Sequence, residues 1–263
     1  MQYRLILCCL ALFFLLMGCD YRQQPESAQT SNKEILIYCG STMAKAIQEI
    51  ADIFELQEMC IVKIINEGSG VLYRSIQINQ AGDLYLPSSE YYIDQAINEG
   101  LVVSDVAVGC NHAVMVVAKD NPLNISADLT NLVSGNYRTA LGDPKSCAIG
   151  RKTEILLESK GLRQQAYRQA LFFLLDSRAL NSAILNNEVD LVLNWLSVTR
   201  QNNSRNVSVL PLAKKTADSV TLRLGLLSTA HHKTLAQHFM ALASSAKGQA
   251  IFTSYGFGRN NDE

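Results

Sequence analysis

The 263-residue sequence predicts an α/β fold with helices packed on both faces of parallel-rich sheets. Three observations carry the prediction. Apolar strands and amphipathic helices alternate in β-α-β-α-β-α order from Glu34 to Gly100, a second such series opens near Thr139, and several strands run into small-residue turns. Alternation of this kind builds a parallel sheet covered on both faces, and ligands of such folds gather at the carboxyl ends of the strands.

The first strand, Ile35 to Cys39, meets the turn Gly40-Ser41-Thr42-Met43. Met43, Ala46, Ile47, Ile50, Ile53 and Phe54 then recur at helical spacing, the mark of a helix that buries one face. Strand Ile61 to Ile65 ends in Glu67-Gly68-Ser69-Gly70, and Val71, Leu72 and Ile76 mark a shorter helix. Asp83-Leu84-Tyr85-Leu86 is a third strand closed by Pro87; Ser88 or Ser89 can cap the next helix, which Gly100 stops. Ala113 to Ala118 is a continuous apolar run suited to a strand buried on both faces. Beyond it come strand Thr139 to Leu141, the turn Gly142 to Gly150, a helix through Ile155 to Leu157, and helical segments Tyr167 to Leu175 and Ala179 to Leu185. Strands Asp190 to Trp195, Val207 to Leu210 and Thr221 to Leu227 follow, and helices His231 to Ala243 and Lys247 to Ser254 close the chain.

The start of the chain has another character. Arg4 precedes an unbroken apolar run, Leu5 to Met17, which is short for a bilayer span and reads as a signal peptide over residues 1–18. Leu16-Met17-Gly18-Cys19 is similar to the bacterial lipobox, which makes Cys19 the expected lipidated N-terminus. Asp20 resembles a signal for retention at the inner membrane, and the polar residues 19–33 read as a tether. The expected location is therefore the periplasmic side of the inner membrane, anchored by lipid.

Roughly 230 residues remain after the tether, enough for one large domain or two lobes. A formal net charge of −1 and the lack of any Lys/Arg cluster argue against a nucleic-acid partner. Cys39, Cys60, Cys110 and Cys147 stay in the mature chain, and four cysteines allow three full pairings. There is no Cys-x-x-Cys and no His/Cys ligand spacing, so neither a metal nor a cofactor is expected. Ser244-x-x-Lys247 fits an acyl-enzyme pattern but lacks the Ser-Asp-Asn and Lys-Thr-Gly that accompany it. A serine acyl-transfer enzyme is thus the weaker alternative, and a non-enzymatic protein is expected.

Two turns carry the candidate chemistry. The first backbone N–H groups of a helix lack intrahelical partners, and the helix dipole adds partial positive charge there. Ser41 and Thr42 add hydroxyls at one such turn, and Ser69 with the open backbone of Gly70 at another. The plainer reading is that Ser41 only caps its helix. Two such turns on neighbouring strands can converge on one anion.

The order of motifs resembles the periplasmic binding proteins of molybdate and tungstate ABC transporters, within the type II solute-binding proteins. The resemblance spans about Glu34 to Phe257: Tyr38-Cys39-Gly40-Ser41-Thr42, Glu67-Gly68-Ser69-Gly70, Asp83-Leu84-Tyr85-Leu86, Asp143-Pro144 through Ala148-Ile149-Gly150-Arg151, and the tail Ser245 to Ile251 with Tyr255-Gly256-Phe257. It implies two α/β lobes joined by two crossover strands, residues 34–112 with 211–263 forming one and 113–210 the other. A tetrahedral oxyanion, molybdate or tungstate, would lie in the cleft; phosphate and sulfate are the alternatives. Ser41 and Ser69 would donate from the first lobe, and the N–H of Ala148 or Ile149, the N–H of Ser177 and Trp195 from the second. Trp195 stands where the family has a tyrosine, and its indole can donate but not accept. Glu67 replaces a glycine, and Asp143 lies in the opposing turn; a carboxylate in contact would repel a dianion but accept from protonated phosphate. The resemblance also places Cys39 and Cys147 beside the cleft, as packed thiols or as a disulfide across it. A monomer that delivers its ligand to an ABC permease is the expected partner scheme.

Overall fold

The computed structural model describes residues 33–201, 206–213 and 219–258. The signal-peptide reading, the Cys19 lipidation and nearly all of the tether fall outside these residues. The chain runs β1 (Glu34–Gly40), a 3₁₀ turn (Ser41–Met43), α1 (Ala44–Glu58), β2 (Ile61–Glu67), α2 (Ser69–Asn79), β3 (Leu84–Leu86), α3 (Glu90–Asn98) and β4 (Val102–Asn111). It continues through β5 (Ala113–Ala118), β6 (Ala140–Gly142), α4 (Ala148–Ser159), α5 (Arg163–Gln169), β7 (Phe172–Leu174), α6 (Ser177–Leu185), β8 (Leu191–Trp195), α7 (Leu196–Arg200) and β9 (Val207–Pro211). It returns in β10 (Val220–Leu227) and finishes with α8 (Lys233–Ser244) and α9 (Ala246–Ser254).

The first lobe is built on a sheet of order β2-β1-β3-β10-β4. β1 pairs in parallel with β2 and β3, as the helical crossovers require, whereas β10 enters antiparallel to β3 and β4. Period-2 alternation in β1 sends Ile35, Ile37 and Cys39 to one core and Tyr38 to the other. α1 buries Ile47, Ile50 and Phe54 on one stripe, and the Phe54 ring meets Phe239 of α8 edge-on at 5.1 Å. Buried Asp83 accepts from the N–H of Leu36 at 2.8 Å and of His231 at 2.9 Å, tying β1 to the approach to α8.

The second lobe centres on β5, with β8 and β9 antiparallel on either side. β6 and β7 form a parallel pair, joined to the rest by a parallel bridge between Thr139 and Leu191. The lobes connect where β4 passes into β5 at His112 and where β9 leads toward β10, so two crossovers lie side by side.

Three elements and one sheet differ from the sequence reading. α7 (Leu196–Arg200) was not expected. The β8-β5-β9 sheet is antiparallel throughout and not parallel-rich, because β5 is entered by the crossover and paired by returning strands on both sides. The helix expected over Tyr167 to Leu175 ends at Gln169; Ala170 has ψ 128°, and Phe172–Leu174 is strand β7. Five consecutive apolar residues from Leu171 carry no period, so pairing with β6 decides their form. β4 was not expected at all, because Ser104 and Asp105 break its apolar pattern. Asp105 there takes a paired hydrogen bond from Arg223 of β10, both contacts at 2.7 Å.

Candidate functional site

Three strand ends of the first lobe interlock. Ser41 and Thr42 follow β1 and are 7% and 2% exposed, and Thr42 Oγ1 lies 3.2 Å from Ser88 Oγ just past β3. Ser69 opens α2 after β2; its hydroxyl accepts from the Ser88 N–H at 2.9 Å, and its carbonyl accepts from the Tyr85 hydroxyl at 2.9 Å. With its acceptor side occupied, the Ser69 hydroxyl keeps its proton to donate. Ser41 is not the cap of α1: that position is Met43, and neither Met43 nor Gly40 makes a side-chain cap bond.

The facing turn belongs to the second lobe. Asp143 Oδ1 accepts from the N–H groups of Lys145 at 2.8 Å and Ser146 at 2.9 Å, so this carboxylate is committed to its own turn. Glu67 is exposed. Ala148 and Ile149 begin α4 and are buried. Burial pushes the Cys147 thiol up to about 12, with the Gly150 N–H pulling in the other direction. Burial raises Cys39 further, partly offset by the Arg178 guanidinium. Both are therefore neutral at physiological pH. Cys39 and Cys147 are packed thiols and not a disulfide across the cleft: the Cys39 thiol turns to its neighbour Gly40 O at 3.5 Å and that of Cys147 to Leu174 O at 3.9 Å.

Ser177 is the first residue of α6, and Asp176 caps that helix by accepting from the N–H groups of Arg178 at 2.7 Å and Ala179 at 2.9 Å. The Ser177 N–H is left without an intrahelical acceptor. Asn194 donates to Ser177 O at 2.9 Å and accepts from the Trp195 N–H at 2.9 Å, fixing α6 to the end of β8. Trp195 is fully buried, and its indole N–H is a buried donor without a hydrogen-bond partner.

The lobes meet directly. Three successive carbonyls of the second lobe accept from the first: Pro144 O from the Tyr92 hydroxyl at 3.0 Å, Lys145 O from Arg74 at 2.6 Å, and Ser146 O from the Gly70 N–H at 2.9 Å. Arg151 lies over the Tyr91 ring at 4.7 Å, and Gln201 donates to Thr42 O at 2.9 Å. Glycine is required for this approach. A Cβ on Gly68 would come within 2.5 Å of Ser146 O and 2.6 Å of Leu175 O, and one on Gly70 would overlap Lys145 O.

Between the lobes lies a cavity of about 340 Å³. Ser41 and Thr42 line it from the first lobe, and Arg178, Asn181 and Leu185 from the second. Of the other expected site residues, Ser69 is tied to the Ser88 N–H past β3, and Gly70 stands in the lobe contact, where its N–H is not an open donor but is given to Ser146 O. Ala148, Ile149, Ser177 and Trp195 stand at the strand ends and helix starts of the second lobe, and none of these six lines that cavity. Sequence reasoning missed Arg178, Asn181 and Lys45. The signal was present, since Arg178, Asn181, Ser182 and Leu185 recur at i, i+3, i+4, i+7 on one face of α6.

Two lobes with small-residue turns facing each other across a cleft define the type II binding-protein class. The chain belongs to the bacterial extracellular solute-binding protein family, whose profile matches residues 35–258. This is a family of binding proteins, not of enzymes. A binding protein of Haemophilus influenzae is 24% identical over 224 residues, which cover 85% of this chain and 90% of that one. Among solved structures, the periplasmic molybdate-binding protein of Azotobacter vinelandii superposes with a TM-score of 0.71 at 18% identity, covering 85% of this chain and 98% of that one. The sulfate-binding protein of Mycobacterium tuberculosis gives 0.73 at 14% identity, with 88% of each chain covered. Iron-bound HitA of Pseudomonas aeruginosa gives 0.68 at 16%, with 84% of each. Among the described residues no helix is long and apolar enough to cross a membrane.

Proposed function

We propose that the protein is the periplasmic receptor of an ABC importer, holding a fully deprotonated tetrahedral oxyanion, molybdate or tungstate, between lobes of residues 34–112 with 211–263 and 113–210. Cys19 carries the lipid that keeps it at the inner membrane. The observation that carries this reading is that the facing turns offer neutral donors and keep their carboxylates turned away. Ser41 and Ser69 offer hydroxyls, and Ala148 or Ile149 and Ser177 offer N–H groups at helix starts. Trp195 has a buried indole N–H without a partner, while Asp143 is turned onto its own loop and Glu67 is exposed. With both carboxylates turned away, no charged acceptor meets the proton of a protonated phosphate, which favours an anion with no proton to give. The likeness to molybdate- and sulfate-binding structures supports the same class of ligand.

Closure follows from contacts that coexist only when the lobes meet, so the ligand shifts the hinge equilibrium by its differential affinity for the closed state. Calorimetry with molybdate, tungstate, sulfate and phosphate at pH 6 and pH 8 tests the reading. Molybdate and tungstate are expected to bind most tightly, with affinities that hardly change between the two pH values, because none of the assigned donors titrates in that range. Binding of phosphate alone would overturn the choice of anion.

A further inference from the structure

We propose that Arg178 is a ligand contact that reaches across the cavity from the second lobe, binds the oxyanion through its guanidinium, and makes the receptor selective for dianions. The inference rests on the oxyanion reading and adds the charge of a guanidinium to the uncharged donors proposed above.

The placement carries it. Arg178 lines the same cavity as Ser41 and Thr42, although it belongs to the opposite lobe. The nearest carboxylate is Asp176, whose Oδ2 lies 3.9 Å away while Oδ1 is taken by two backbone N–H groups. That ion pair is loose, at the distance limit of a salt bridge, and the Arg178 side chain is 52% exposed. A guanidinium held this loosely is free to turn its paired N–H groups onto an oxyanion, the geometry that Arg provides and Lys does not. Lys45 lines the first-lobe wall of the cavity, so positive charge comes from both sides.

Size agrees with charge. A bare tetrahedral oxyanion fills on the order of 80 Å³, about three waters' worth at about 30 Å³ each, whereas the cavity holds about 340 Å³. The extra space admits the anion with part of its water, and the two cations attract it before the lobes finish closing. A field of this kind speeds association and weakens with salt. Asn181, one turn beyond Arg178 on α6, is buried with its carbonyl oxygen unpartnered. A water that enters with the anion can satisfy it.

The single tryptophan, Trp195, provides the signal. Stopped-flow and equilibrium fluorescence with sodium molybdate are compared for wild type, Arg178→Gln and Arg178→Lys at 20 and 200 mM salt, with nitrate as the monoanion. Arg178→Gln is expected to lose roughly ten- to a hundredfold in molybdate affinity, the usual worth of a charge-assisted pair. Its association rate should also lose most of its salt dependence, and Arg178→Lys should regain the salt dependence but only part of the affinity. Nitrate should bind far more weakly than molybdate to wild type. If wild type binds molybdate and Arg178→Gln keeps both its affinity and its salt dependence, the inference is overturned and the oxyanion reading stands. If wild type binds none of the tetrahedral oxyanions by calorimetry, both fall together.

Discussion

Gly70→Ala is expected to hold the lobes apart and to lower molybdate affinity by about ten- to a hundredfold. The new methyl group would overlap Lys145 O and come within 2.8 Å of the Tyr92 hydroxyl, and both atoms lie in the lobe contact. Overpacking of this kind costs roughly 1–3 kcal/mol where the surroundings cannot yield, and every 1.4 kcal/mol is tenfold in affinity. Most of the cost falls on closure: Lys145 O belongs to the other lobe, the Tyr92 hydroxyl of the same lobe is the far end of a side chain that can shift, and alanine favours the first turn of α2. Thermal stability of the ligand-free variant should therefore match wild type, while small-angle scattering with excess molybdate should give the larger radius of gyration of an open form. Wild-type affinity in Gly70→Ala would mean that ligand binding does not need the contact of Gly70 with the 144–146 turn.

Ser69→Ala is expected to cost roughly 1.5–3 kcal/mol of binding, ten- to a hundredfold, because a hydroxyl donor to a charged partner is lost. The substitution has a second consequence. The Ser88 N–H loses its acceptor, and a buried donor left unpaired costs about 1–3 kcal/mol of stability. Calorimetry read beside thermal unfolding separates the two effects, since the Ser88 amide acts on the free protein as much as on the complex. A lower melting temperature with an unchanged dissociation constant would assign Ser69 to the architecture of the strand ends alone.

Much of this fold was legible because its period is strong. Ile47, Ile50 and Phe54 announce α1, and the continuous apolar run of β5 announces a strand covered on both faces. β4 was not legible, since Asp105 reads as a loop residue until its partner Arg223, far along the chain, is known. Leu171 to Leu175 failed for the opposite reason: an apolar run without alternation leaves helix and strand equally open, and a tertiary partner chooses. At the proposed site, Ser41, Thr42 and Ser69 could be placed at strand-to-helix turns because each stands between an apolar strand and a helical period. Arg178 was passed over because its neighbour Ser177 was considered for its backbone alone, and which face of α6 meets the cleft follows from packing. The carboxylates of Glu67 and Asp143 raised an electrostatic objection that only geometry answers, one by exposure and the other by its own turn.

The central claim is that a dianion sits between the two lobes and is held by donors from both. A crystal of the protein grown with tungstate, its tungsten located by anomalous scattering, tests it most directly. A single strong peak is expected in the cleft, within hydrogen-bond reach of Ser41 and Ser69 on one side and of second-lobe donors on the other. A peak on the outer surface of either lobe, or no tungsten at all at saturating tungstate, would contradict the account.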